Sequence, residues 1–248
     1  MLKQQMVSGR SWAIVGIGLY AAFFAADARG AVVDPIGSVF YEQTREAWGK
    51  APEADEQELR YTDPVYHEEL VRTGPSGGTA LQFLDTTRLQ VGANSSLVLD
   101  RYVFDPDNAK GEAIMGFGTG VFRFITGQMS KDGIQLRTPT TVMSVRGTKL
   151  IILVGLDGSS KVGVVEGEID GQVCDTGVHL TAKAGQVLTV PADCRGATVV
   201  WGTLVVTDPL VLADLPGLND IAPASGDDET NGPPNGAPTD NSRDASAF

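Results

Sequence analysis

The residues most able to do chemistry in this sequence are its carboxylates, and one short stretch gathers several: Asp100, Asp105, Asp107 and Glu112, with Asn108 among them. Two carboxyl groups held on either side of a bond could run acid–base hydrolysis. Several oxygen donors together could hold a hard cation, and Asp105, Asp107, Asn108 and Glu112 are the set to consider for calcium. The stretch departs from the EF-hand template, however, because its glycine is misplaced and no helical segments flank it. Carboxylates in a polar loop are the plainer expectation. His67 and His179 are isolated, without partner spacing for zinc or for a catalytic triad. The serines lack a nucleophile-elbow context, and Gly127–Gly133 is not a phosphate loop. Gly116-Phe117-Gly118-Thr119-Gly120 has close glycines but no helix after it, so it reads as a hairpin turn. The expectation is a non-enzymatic chain with no catalytic, cofactor-binding or metal residues.

Two arginines stand out for a different reason. Arg123 and Arg146 lie in apolar β-type runs, and a cation there must be satisfied. Each guanidinium could span turns by bonding carbonyls or by pairing with Asp85 or Asp100, or it could anchor a partner surface. Around Arg146 the pattern is sharpest: Thr141, Met143 and Val145 alternate with Val142, Ser144 and Arg146, the period of a two-faced strand. Pro139 forces a bend or an edge before it, and Gly147, followed by Thr148, permits a turn or bulge after it. Arg123, Pro139, Arg146, Gly147 and Thr148 are the structural or interaction candidates. Tyr66, Tyr102 and Trp201 are aromatic candidates for an interface.

The elements that must position these residues are short β runs bounded by turns. They include Ala80–Leu84, Arg88–Val91, Ser96–Leu99, Ala113–Phe117, Val121–Ile125, Leu150–Val154, Lys161–Val165 and Gln186–Val190. Gly74–Gly78 reads as a turn, and Gln43–Leu59 as a polar surface loop broken by Gly49 and Pro52. No segment shows a convincing amphipathic helix, so the class is all-β. A barrel, a sandwich and a solenoid each fit, and the recurrent turn–strand–turn rhythm favours a solenoid-like β-roll.

The 248 residues carry a formal charge of −12 and a pI near 4.5. With no basic cluster, this composition argues against nucleic acid and against adhesion to anionic membranes. Lys3 and Arg10 precede the uncharged apolar run Trp12–Ala26, and small residues follow, so residues 1–28 read as a secretory signal cleaved near 28–30. The run is short for a bilayer span, which leaves an uncleaved anchor as the alternative and no stable span after cleavage. The two cysteines, Cys174 and Cys194, are then both exported, and an even count there predicts a disulfide. Residues 208–218 could cap the β-domain, and 219–248 read as a disordered acidic tail.

Three groups of motifs carry a family resemblance. One is Arg72-Thr73-Gly74 with the run from Leu89 to Asp100. Another is Tyr102-Val103-Phe104-Asp105-Pro106 with the run from Gly120 to Gly127. The last is Arg137-Thr138-Pro139-Thr140-Thr141 with Val145-Arg146-Gly147-Thr148. In that order and spacing they resemble the FecR domain family of bacterial envelope proteins, with the core of the match at 73–165 inside a domain of 31–207. The resemblance implies a solenoid-like all-β domain in the periplasm. It also implies a role like that of sigma-factor regulators, which receive a signal from an outer-membrane receptor. Only ten residues precede the apolar run here, so a cytoplasmic anti-sigma segment is not expected. The expectation is a periplasmic or secreted bacterial module that binds another envelope protein or senses a signal. A structural scaffold of the envelope is the alternative, and a carbohydrate-active solenoid enzyme stands third.

Overall fold

The computed structural model describes residues 34–130 and 133–208. The signal-peptide reading, the tail and all of the proposed cap except Asp208 lie outside the described residues. Fifteen strands and no helices make up the described part. They are β1 (Gly37–Val39), β2 (Arg45–Lys50), β3 (Gln57–Glu58), β4 (Pro64–Val65), β5 (Glu69–Phe83), β6 (Arg88–Val91), β7 (Ser96–Asp105) and β8 (Lys110–Phe117). They continue with β9 (Gly120–Ile125), β10 (Ile134–Thr138), β11 (Thr141–Val154), β12 (Ser160–Val173), β13 (Val178–Lys183), β14 (Gln186–Val190) and β15 (Thr198–Trp201).

Three strands are long enough to change partners midway. β5 meets β7 through Glu69–Arg72 and β6 through Thr79–Gln82. β11 meets β10 through Thr141–Ser144 and β9 through Lys149–Val154. β12 meets β14 with its first half and β13 with its second. Following the pairings from β5 gives β6, β9, β11, β10, β8, β7 and β5 again, a closed ring of seven strands. Closure removes open edges from that part of the sheet.

The ring corrects the solenoid expectation. Solenoid rungs stack repeat upon repeat against neighbours only; here, among the described strands, only the β8–β10 pair is parallel, and pairing returns to its start. The misreading has a physical cause. Long strands that bend at glycines look like short turn-bounded runs. Gly74–Gly78 is such a case, since β5 runs through it unbroken. Gly77 is needed there because a Cβ would come within 2.5 Å of the Glu46 carbonyl oxygen.

Two further expectations change. Ala113–Phe117 and Val121–Ile125 do not form a hairpin: β8 pairs with β7 and β10, β9 with β6 and β11. Gly118-Thr119 instead crosses between them, bonded to Ser96 on both sides of the crossing. Gln43–Leu59 is not simply a loop, because it contains β2 and β3. Its inward positions are Ala47 and Gly49, too small to register as a hydrophobic alternation.

Inside the ring the inward residues make one core. Phe122, Phe124, Leu81, Leu89, Leu97, Leu99, Met115, Leu136, Met143, Leu150 and Ile152 are all fully buried. After β15 the chain runs back past β12 toward the β6–β7 turn. Leu204 lies against Gly163, Val206 is buried, and Asp208 Oδ2 accepts from Ala93 N at 2.8 Å.

Candidate functional site

Each of the two long ring strands is fastened where it bends, and a threonine does the fastening. In β11 the register against β12 shifts between Arg146 and Lys149. Gly147 takes φ 55° there, opposite Gly167 at φ 80°, conformations that only glycine adopts without strain. Thr148 N donates to Thr126 Oγ1 at 2.8 Å. Thr126 Oγ1 and N donate back to Thr148 O at 2.9 and 3.1 Å. At the bend of β5, Thr73 plays the part that Thr126 plays at Thr148. Its N donates to Ser95 O at 2.9 Å, Ser95 N donates to Thr73 Oγ1 at 3.0 Å, and that hydroxyl donates to Gly92 O at 2.6 Å. Both threonines are buried, where an unmade bond costs more than a made one gains.

Between the bends sits a buried carboxylate. Asp85, fully buried, caps the β5–β6 turn by accepting from Thr87 N at 3.0 Å and Thr87 Oγ1 at 2.6 Å. Two distant segments also reach it. Tyr102 Oη donates at 2.8 Å from β7, and Met129 N at 3.3 Å from the β9–β10 connection. Asp85 N in turn donates to Tyr102 Oη at 2.8 Å, and Thr87 Oγ1 accepts from Gly127 N at 2.9 Å. Tyr102 stacks on Phe83 at 5.4 Å between ring centres. Burial, and then the adjacent Asp85 charge, push the Tyr102 phenol well above its ordinary range. Tyr102 is therefore a core residue and not an exposed interface aromatic. In the sequence Asp85 stands out only as a possible partner for Arg123 or Arg146. The Asp-x-Thr spacing is the signal for its local half, while the Tyr102 and Met129 contacts are long-range and leave no local trace.

Residues 69–170, which hold both bends and the whole of this node, match the model of the FecR protein family. This stretch is a FecR domain. Two crystal structures of a candidate anti-sigma factor from Parabacteroides distasonis ATCC 8503 resemble the chain at 12% and 14% identity, with TM-scores of 0.42 and 0.41. Each alignment covers 54% of this chain, and the chain spans 59% of the length of those structures. No curated protein matches the chain.

Within the FecR domain the remaining candidates separate. Arg146 is exposed on the outward face of β11, opposite Glu168 in the β12 register. Arg123 is half-buried between Gln90 of β6 and Ile151 of β11. The carboxylates expected to pair with them are engaged elsewhere: Asp85 as above, and Asp100 with Arg137 Nη1 at 3.3 Å. Pro139 and Thr140 form the two-residue turn between β10 and β11. There Thr140 Oγ1 donates to Ser160 Oγ at 2.7 Å, and Ser160 Oγ donates to Thr138 Oγ1 at 2.8 Å. Outside the match, Cys174 and Cys194 form a disulfide, Cα to Cα 6.3 Å, joining the end of β12 to the loop after β14. Trp201 on β15 is largely exposed.

The proposed calcium set serves the β7–β8 turn. Asp105 accepts from Asp107 N at 3.0 Å and Asn108 Nδ2 at 2.8 Å, which lowers its carboxyl below the ordinary 3.8, while Glu112 pairs with Arg101 at 3.0 Å. His67 Nδ1 accepts from Tyr102 N at 3.2 Å, and His179 lies 3.3 Å from Asp170. Among the described residues, no group of three or more His, Cys, Asp or Glu is placed to hold a metal. Nor is there among the described residues a helix long and apolar enough to cross a membrane.

Proposed function

We propose that this chain is an exported, non-enzymatic signalling module whose FecR domain binds another protein of the bacterial envelope. The match over residues 69–170 carries this reading. The node chemistry agrees with it. The hydroxyls of Thr73, Thr87 and Thr126 and the carboxylate of Asp85 are used to hold strands together, so they serve a shape to be recognised and not a bond to be broken. Pro139 and Arg146 then mark one corner of the recognised surface, shaped from beneath by the bulge at Gly147 and the buried Thr148, with Arg123 on the neighbouring strand.

The test is capture of the mature protein's partner from cross-linked envelope of the source bacterium, with identification of the captured chain. Recovery of an outer-membrane receptor or a membrane-bound regulator, lost on Arg146→Glu at unchanged melting temperature, is the expected result. Recovery only of further copies of this chain overturns the reading and leaves an envelope scaffold in its place.

A further inference from the structure

The segment preceding the FecR match builds a cavity of its own. Residues 49–66 fold over the first residue of β5 and form a cavity of about 280 Å³, open to solvent on one side and lined by Asp55, Glu58, Asp63 and Glu69, with Leu59 and Tyr66 among the walls. The deepest of these is Glu69, only 3% exposed. Its Oε2 accepts from Tyr66 N at 2.7 Å. Its Oε1 accepts no hydrogen bond among the described residues and lies against Gly49, where a Cβ would collide with it. Burial raises the Glu69 carboxyl above the ordinary 4.5. That oxygen opens on the cavity from a largely buried side chain, and so calls for a positive group more strongly than an exposed carboxylate does.

The surrounding charges leave that requirement unmet from within. Arg60 pairs at the rim with Glu58 at 3.3 Å, both side chains largely in solvent, and Arg60 N donates to Asp63 Oδ2 at 2.7 Å. Arg72 is engaged by Glu56. Asp55, one Asp63 oxygen and Glu69 Oε1 remain without a cation. At 280 Å³ the cavity lies below the roughly 300–1,000 Å³ of sites for whole small molecules. Its walls mix an apolar side with a carboxylate floor, which suits an aliphatic stem ending in a positive group.

We propose that this cavity receives a lysine or arginine side chain of a partner protein, its charged end on Glu69 Oε1 and its stem against Leu59 and Tyr66. The site goes beyond the FecR reading, since only Glu69 belongs to the matched residues. The test is an amide-shift titration of the whole chain with capped Gly-Gly-Lys-Gly-Gly and Gly-Gly-Arg-Gly-Gly peptides, using a norleucine peptide as control. The expected result is saturable shifts at Gly49, Tyr66 and Glu69 with a basic peptide but not with norleucine. Glu69→Gln should weaken binding about tenfold. Asp55→Asn, an exposed change that leaves the core untouched, should weaken it by a smaller factor. No saturation by either basic peptide up to about 10 mM, or equal affinity in Glu69→Gln, overturns the site. Butylammonium binding as tightly as the lysine peptide overturns the partner side chain in favour of free amines. These outcomes are independent of envelope capture, so failure of one reading does not decide the other.

Discussion

Asp85 and Glu69 are both buried acids, but they sit in opposite situations. Asp85 accepts from four donors, so removing it strands groups that cannot reach water. Asp85→Ala should cost about 3 kcal/mol or more in urea denaturation, whereas Asp85→Asn, which keeps one acceptor oxygen, should cost less. Glu69 accepts from a single donor among the described residues, Tyr66 N, and its carboxyl is raised by burial. Between the ordinary 4.5 and its raised folded value, the native state holds a proton that the unfolded chain has released. Stability therefore falls as pH rises through that window and recovers on acidification into it. Glu69→Gln should remove this slope, read as the wild-type minus variant unfolding free energy between about pH 4 and 7. Asp105 and Asp157, lowered by their turn hydrogen bonds, lose their contribution only below the ordinary 3.8, outside that window. Arg146 lies on the outward face of β11. Its exposure makes Arg146→Ala a mild change in stability, within about 0.5 kcal/mol, measured as a melting shift.

At the level of elements, glycines decide where strands bend, and they do so in two distinguishable ways. At Gly147 a Cβ would meet open space, so only its φ of 55° opposes a side chain. Gly147→Ala should cost about 1 kcal/mol. At Gly120, φ 120°, a Cβ would collide with the Ser95 side chain and lie 2.6 Å from the Ser95 Cα. Gly120→Ala should cost several times more, with the two compared by denaturant midpoint at constant m-value. This difference is invisible in sequence, where both residues read as turn glycines. What was legible was local: the two faces of β11, the bend at Pro139 and the bulge at Gly147. The hidden features were those set by partners far away. The alternation of β2 hides behind Ala47 and Gly49, β5 appears broken by glycines that in fact let Glu46 approach, and β8 and β9 look like a hairpin although each pairs elsewhere.

For the whole molecule, closure separates what the fold requires from what merely adds to it. The ring runs through β5 to β11, and the core it encloses continues into buried residues of β12 to β14 such as Val162, Ile169 and Leu188. The Cys174–Cys194 bridge lies beyond it, tying the end of β12 to the loop after β14 across a separation of 20 residues. In the chain-entropy account a closed loop of that size stabilises the native state by about 3 kcal/mol. The all-β class and the bridge were both readable from sequence, one from turn-bounded runs and the other from the cysteine count. The ring was not, because closure is a property of which strand finds which. These two facts give opposite expectations for a reduced protein. If β12 to β15 were needed to hold the ring shut, losing the bridge would unfold everything. Because the ring closes through the β10–β11 hairpin instead, Cys174→Ala/Cys194→Ala should remain folded with a lowered melting temperature. Hydrogen exchange should speed up in β13 to β15 first, while amides of β9 and β11 keep the protection of global unfolding. Equal loss of protection in both regions would show that the ring depends on the strands outside it.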